Sequence, residues 1–341
     1  MEGFEKMKVF IAGGTGLIGA KAAELLIQHG HEVSSIALPP LLEHAGIPKE
    51  MKLTFGNYME LSDDELKQHF FDMDVFIFAS GVDERVEFEY PVYDSYSKYN
   101  IEPLNKMLRV AKDSGLKKAI VLGSYFSYFD KIWPDLHLYE THPYIKSRID
   151  QENMAFSFSD DSFEVSVLEL PYIFGAQTGR KPVWTMFIDM FEKPKRILFP
   201  KGGTTMVTLN QVAQAIEGVM NHGKGKTAYP VGFYNMTWVE LISIILSAMR
   251  TPEKKIVTVP NFLAQIGFNQ KKKEYQKKGI DPGLNPSQFL KVMSRNAFIN
   301  PEQMKHLGVR EDDIKSAIQE SIQYAMEIKT KKLQVIDMKV K

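Results

Sequence analysis

Glycine recurs at every third position in Gly13-Gly14-Thr15-Gly16-Leu17-Ile18-Gly19, directly after the apolar run Met7-Lys8-Val9-Phe10-Ile11-Ala12. The run reads as a strand, and Leu17, Ile18, Ala22, Leu25 and Leu26 repeat at helical spacing, so the segment predicts strand, tight turn and helix. A turn with so few side chains lets a pyrophosphate approach the backbone. The free N–H groups and the positive dipole end of the following helix then face its charge. Gly30 stops the helix and residues 31–36 supply the next strand, which completes a βαβ unit.

The same alternation continues downstream. Residues 52–55 and 74–79 read as strands, Ser62-Asp63-Asp64-Glu65 as a capping box opening a helix, 99–114 as a helix ended by Gly115, and 118–123 as another strand. Pro143 starts a helix through Met154, and 163–170 is a further strand. Strands alternating with helices, joined by right-handed crossovers, predict an α/β fold with a doubly wound parallel sheet. After Pro171 the alternation fails. A helix at 210–220 and a short strand at 229–231 rejoin the first domain, while a helix from the capping box Thr237-Trp238-Val239-Glu240 to about Met249 and one at about 311–328 predict a smaller, mostly helical C-terminal substrate domain. The expected division is 1–172 plus about 205–232 for dinucleotide binding, about 173–204 and 233–330 for substrate, and a flexible tail at 331–341.

Composition narrows the function classes. Forty-two basic residues balance forty-two acidic ones in 341 residues, so no global field favours nucleic acid or an anionic membrane. No apolar run reaches the length of a bilayer span and the N-terminus lacks a signal-peptide pattern, so the expected location is cytoplasmic, with no membrane or nucleic-acid partner. Cysteine is absent, which excludes disulfides and thiolate catalysis, and the eight histidines form no HExxH, so no metal site is expected. The run Lys271-Lys272-Lys273-Glu274-Tyr275-Gln276-Lys277-Lys278 reads as a solvated helix face or as a contact for a phosphate-bearing partner.

The G-x-x-G-x-x-G spacing, with the segments below, resembles the extended short-chain dehydrogenase/reductase superfamily, the NAD-dependent epimerase/dehydratase group, over about residues 7–262. The resemblance implies a Rossmann fold binding NAD or NADP, with Gly13, Thr15, Gly16, Leu17, Ile18 and Gly19 at the pyrophosphate. The second strand leads into Ile36-Ala37-Leu38-Pro39-Pro40, which offers neither the acid of NAD binders nor the Arg of NADP binders, so cofactor preference stays open. Gly56-Asn57-Tyr58 reads as an ordinary turn or, by resemblance, as an adenine contact through Asn57 and Tyr58. Ala79, Ser80 and Gly81 are small enough for a close cofactor approach. Asn100 reads alone as a helix cap and by resemblance as a structural asparagine. Pro171 and Ile173 lie in the Pro-x-x-x-Gly segment that the resemblance places near nicotinamide. This segment lacks the asparagine common in sugar-nucleotide epimerases.

The catalytic residues implied by the resemblance are Ser124, Tyr144 and Arg148. Positions four apart share a helix face, so a cation at 148 stabilises tyrosinate and lowers the phenol's pKa, fitting Tyr144 for acid/base work. The family has Lys where this chain has Arg148, whose planar guanidinium keeps the charge but not the compact ammonium geometry. Lys146 falls on the opposite helix face; a slipped register would pair it with His142. Arg180 and Lys181 read as an anion site or as solvated charges. Tyr90, Tyr93, Tyr96, Tyr99, Tyr125, Phe126, Tyr128, Phe129, Trp133 and Tyr139 line an apolar substrate side or pack helices. The expectation is an NAD(P)-dependent oxidoreductase or epimerase acting by hydride transfer on a carbonyl or secondary alcohol of a small-molecule substrate, assembled as a homodimer through the helices near 99–114 and 144–158. The alternative is a nucleotide-binding regulatory or scaffold protein on the same fold.

Overall fold

Valine, isoleucine and phenylalanine fill Val75–Phe78 without a polar interruption, and all four side chains are buried, the signature of a strand covered on both faces. The computed structural model describes residues 5–337 except Pro40 and Glu43, so Pro40 of the second strand's exit and the last four residues of the expected tail lie outside it. Seven parallel strands form the central sheet: β1 (Lys8–Ala12), β2 (Glu32–Ala37), β3 (Lys52–Phe55), β4 (Val75–Phe78), β5 (Lys118–Ser124), β6 (Glu164–Leu170) and β7 (Thr227–Pro230). Their order is β3-β2-β1-β4-β5-β6-β7, with every pair in parallel register. The order reverses between β1 and β4, which opens a crevice beyond their carboxyl ends.

Each face of the sheet has its own core. Val9, Ile11, Ile77 and Leu168 meet Ala22, Leu26, Val212 and Ile216 from helices Leu17–Gln28 and Leu209–His222. On the other face Phe10, Phe76 and Phe78 meet Phe70, Leu104, Met107 and Ala155 from helices Asp63–Phe70, Glu102–Asp113 and Pro143–Phe156. Ser62 with Glu65 and Thr237 with Glu240 form the expected capping boxes, and Thr208 with Gln211 forms a third.

A third core lies around the buried strand Gly203–Thr208, which pairs with Tyr172–Phe174, Tyr234–Thr237 and Asn296–Ala297. Phe174, Trp184, Phe187 and Phe191 stack in succession against helices Trp238–Ala248 and Ile314–Lys331. Strand Arg196–Pro200 pairs in parallel with Lys255–Val259, and helix Asn261–Lys277 packs on that ribbon. No helix among the described residues is long and apolar enough to cross a membrane.

Two boundaries differ from the sequence reading. The helix expected at 99–114 begins as one wide turn, Ser97–Ile101, before the regular helix Glu102–Asp113. Pro103 has no N–H to donate backward, so the preceding turn opens. The final helix starts at Ile314 because the Asp313 carboxylate caps it, accepting from the Ser316 N–H at 3.0 Å. Beyond that helix, Ile336 lies along residues 179–181: its N–H donates to the Gly179 carbonyl at 2.8 Å and its carbonyl accepts from Lys181 at 3.1 Å.

Candidate active site

Two segments meet at the carboxyl end of β5, the strand's own last residue and the helix Pro143–Phe156. Ser124 ends that strand and caps helix Tyr125–Ile132, its Oγ accepting from the Phe126 N–H at 3.4 Å. Tyr144 is the second residue of helix Pro143–Phe156, and only 6% of its surface is exposed. Its ring stands edge-on to Tyr96 at 5.5 Å and to Phe126 at 6.5 Å. Burial raises the phenol above its ordinary range. Arg148 pulls it down, Glu84 pushes it up, and the hydroxyl of Ser124 and the charge of Arg85 pull it down again.

Arg148, one turn further along the same helix, is buried. Its Nη2 donates to the Leu122 carbonyl of β5, while its Nε is buried without a hydrogen-bond partner. The guanidinium therefore ties the helix to the strand on one side and sets the charge beside Tyr144 on the other. Lys146 is on the opposite face, as helical geometry requires. It donates to Asp150 at 2.5 Å and Tyr139 Oη at 2.8 Å, over the rings of Tyr93 and Tyr139. The slipped pairing with His142 does not form, because the His142 Nδ1 accepts from the Asn285 N–H at 3.0 Å.

The glycine turn fits a dinucleotide. Gly13 has φ +94°, and a Cβ there would lie 2.5 Å from the Ala79 carbonyl oxygen. A Cβ on Gly19 would lie 2.2 Å from the Gly13 oxygen. These contacts press β1, the turn and the end of β4 together, with Ala79 and Ser80 small for the same reason. Gly16 caps helix Leu17–Gln28 without a side-chain hydrogen bond, and no acid stands in the first turn. The N–H groups at Leu17 and Ile18 thus lie at a helix start free of competing anionic side chains. Thr15 is buried, and its carbonyl accepts from Gln177 Nε2 at 3.3 Å and from Arg180 Nη2 at 3.0 Å. Arg180 is therefore tied to the turn rather than solvated, and Lys181 pairs with Asp337 at 2.8 Å.

Asn57 makes a local turn, accepting from the Met59 N–H at 3.1 Å and donating to Glu60 at 2.8 Å. Tyr58 Oη lies 2.8 Å from Ser80 Oγ, joining the ends of β3 and β4. Asn100 is not the helix cap that its position suggested. It is fully buried, and its amide accepts from the Val82 N–H at 2.7 Å and donates to the Val82 carbonyl at 2.9 Å. That pair fixes the loop after Gly81, where a Cβ would strike Asn100 Oδ1 at 2.4 Å. Pro171 follows β6, and the Ile173 carbonyl accepts from Trp184 Nε1 at 2.9 Å.

The sequence reading missed the loop after β4. Glu84 influences Tyr96, Tyr125, Tyr144 and Tyr172, and burial raises its own carboxyl while Arg148 lowers it. Arg85 is hydrogen-bonded to Asp83. The signal was present as the charged triplet Asp83-Glu84-Arg85 just beyond a strand's carboxyl end. Of the expected aromatics, Tyr96, Tyr125, Phe126 and Phe129 pack around Tyr144, whereas Tyr90 is exposed. The helices expected to form a dimer seam turn Glu102, Asn105, Arg109 and Asp113 outward on the first of them.

A sequence model of the NAD dependent epimerase/dehydratase family matches residues 9–232, which contain all seven sheet strands except the first residue of β1. No curated protein is similar to the chain in sequence. Solved structures share its fold. The structure of gox2253 is 15% identical with a TM-score of 0.71, covering 94% of this chain and 98% of that one. A UDP-N-acetylglucosamine 4-epimerase from Methanobrevibacter ruminantium M1, in complex with UDP-N-acetylmuramic acid, is 14% identical with a TM-score of 0.66 and coverages of 95% and 99%. A UDP-glucose 4-epimerase from Bifidobacterium longum, in complex with NAD+ and UDP, is 16% identical with a TM-score of 0.63 and coverages of 94% and 98%.

Proposed function

The chain belongs to the NAD dependent epimerase/dehydratase family, and on that premise we propose that it is an NAD(P)-dependent oxidoreductase or epimerase acting on a carbonyl or secondary alcohol of a small molecule. The observation that carries this reading is the buried phenol of Tyr144, the second residue of its helix, with the buried cation of Arg148 one helical turn away and Ser124 at the end of the neighbouring strand. In this reading the turn from Gly13 to Gly19 and the start of helix Leu17–Gln28 hold the pyrophosphate, with Ala79, Ser80 and Gly81 flanking the cofactor and Pro171 and Ile173 at its reactive end. Nicotinamide, when bound, exchanges hydride with a carbinol carbon.

The residues of the chain handle the proton and the orientation. Ser124 holds the substrate oxygen beside Tyr144, which takes or gives the hydroxyl proton. Arg148 stabilises the phenolate, offsetting part of the burial that raises the phenol. Structures of the same fold have been solved with UDP-linked sugars, and a nucleotide-linked sugar belongs in the first substrate panel.

Absorbance at the reduced-nicotinamide band, followed across alcohols, carbonyls and sugar nucleotides, tests the proposal with wild type and Tyr144→Phe. Turnover that Tyr144→Phe abolishes supports it. A silent wild type that binds the dinucleotide firmly would favour the regulatory or scaffold reading instead. A homodimer through helices Glu102–Asp113 and Pro143–Phe156 belongs to the same proposal. Its outward Arg109 and Asp113 make the contact polar, so light scattering at micromolar concentration and low salt is the direct check.

A further inference from the structure

Helix Asn261–Lys277 is seventeen residues long, yet none of its residues is fully buried. It is seated on one side only. Ala264, Gln265, Phe268 and Tyr275 are partly covered. Asn261 Oδ1 accepts from Ser294 Oγ at 2.9 Å and Asn269 Oδ1 accepts from Ser287 Oγ at 2.9 Å. The other side carries large apolar groups in solvent: Phe262 is 71% exposed, Ile266 64% and Leu263 46%. The neighbouring ribbon adds Leu198 and Val257, which are direct cross-strand partners and are 63% and 38% exposed.

Charge surrounds these groups with one sign. Residues 192–201 and 250–278 hold twelve Lys or Arg against three Glu, although the whole chain is neutral. Two of the three acids are already paired, Glu192 with Lys329 at 2.7 Å and Glu274 with Lys271 at 3.4 Å. Lys193, Lys195, Arg196, Lys255, Lys273 and Lys277 are all exposed. At 100° per residue, Phe262, Ile266, Lys273 and Lys277 fall within an arc of about 60° on the helix. The outward stripe is therefore apolar over its first turns and cationic over its last.

We propose that this face docks on the surface of an anionic phospholipid bilayer, with Phe262, Leu263 and Ile266 entering the headgroup boundary and Lys273 and Lys277 meeting lipid phosphates. A helix lying in the interface needs this combination, because apolar insertion and attraction to anionic headgroups add while long lysine stems let the charge stay wet. A second copy of the chain fits less well, since a two-fold contact would set the lysines against themselves. Duplex nucleic acid would use the lysines but gives the exposed Phe262 and Ile266 no apolar surface to enter, and a single strand could stack on Phe262 but leaves Ile266, Leu263 and Leu198 in water.

Co-flotation of the full chain with vesicles of phosphatidylcholine alone, or of phosphatidylcholine mixed with phosphatidylglycerol, tests the docking. Wild type is expected to float with the mixed vesicles and not with the neutral ones. Phe262→Ser with Ile266→Ser, and separately Lys273→Glu with Lys277→Glu, should each reduce binding by about tenfold or more. Their melting temperatures should match wild type because all four side chains are exposed. Equal or absent binding to the two vesicle types overturns the proposal, as does mixed-vesicle binding that survives both double variants. It is also overturned if light scattering shows a wild-type dimer that Phe262→Ser with Ile266→Ser converts to monomer, or if an oligonucleotide competes away the vesicles without needing Phe262 and Ile266.

Discussion

The backbone N–H of Tyr144 donates to the carbonyl of Gly283 at 2.9 Å, joining the start of the helix that carries the acid/base candidate to a loop near the far end of the chain. Gly283 is required there, because a Cβ would lie 2.0 Å from the Tyr96 hydroxyl, whose ring packs against Tyr144. The C-terminal region thus fixes where the phenol stands. Gly283→Ala should destabilise the protein by about 1–3 kcal/mol through overpacking and lower turnover more than dinucleotide affinity. Thermal melting with parallel kinetics and nucleotide titration checks both effects.

Replacing Tyr144 with Phe removes the proton carrier while keeping the ring that packs on Tyr96 and Phe126. The expected loss in turnover is about 10² or more, with the dissociation constant of the dinucleotide nearly unchanged. Arg148→Lys keeps the charge and should retain activity. Arg148→Met removes the charge that lowers the phenol, so the limb of the rate profile set by Tyr144 should move to higher pH, the basic limb when the phenol gives its proton and the acidic limb when it takes one. A profile that does not move would remove Arg148 from the electrostatics of Tyr144.

Glycines 16 and 19 should fail in different ways. Gly16 has φ −77°, which any residue adopts, and a Cβ there meets only the Gly13 oxygen at 3.2 Å. Gly16→Val should therefore fold and lose nucleotide affinity by blocking the pyrophosphate. Gly19→Ala drives a Cβ into the Gly13 backbone and should lower the melting temperature first. Calorimetry of dinucleotide binding beside thermal melting separates the two; unaltered affinity in folded Gly16→Val would sink the assignment of the turn.

His142 gives stability an acid limit. Burial pushes its pKa from 6.5 down to about 4, so the folded state binds this proton less readily than the unfolded chain. Its contribution is complete above about pH 6.5 and is lost as pH falls through about 4, by about 3 kcal/mol at most. Protonating Nδ1 also breaks its acceptance of the Asn285 N–H. His142→Asn should flatten the fall in melting temperature across that window.

Glu169 acts in the opposite direction. Burial, and then the charge of Glu152, push its pKa up to about 8, while Lys131 pulls it down from 3.3 Å. The folded state therefore holds this proton more tightly than the unfolded chain. The contribution is complete below the ordinary value of 4.5 and is lost as pH rises through about 8. Glu169→Gln should remove that alkaline decline, measured by denaturant unfolding at several pH values.

What the sequence alone determined is local in range. The glycine turn, the apolar runs of the parallel sheet, the boxes at Ser62 and Thr237, and the shared face of Tyr144 and Arg148 follow from spacings of a few residues, where backbone geometry fixes which side chains meet. Tertiary structure decided the partners that make these parts a site. Leu122 takes the Arg148 guanidinium, Val82 takes the Asn100 amide, Arg180 reaches Thr15, Gly283 holds Tyr144, and the charge of Glu84 acts on the same phenol. Their separations along the chain run from eighteen residues to well over a hundred. No periodicity spans such gaps. The meeting depends on the strand order and on where each crossover sets its loop, which packing of the whole sheet decides.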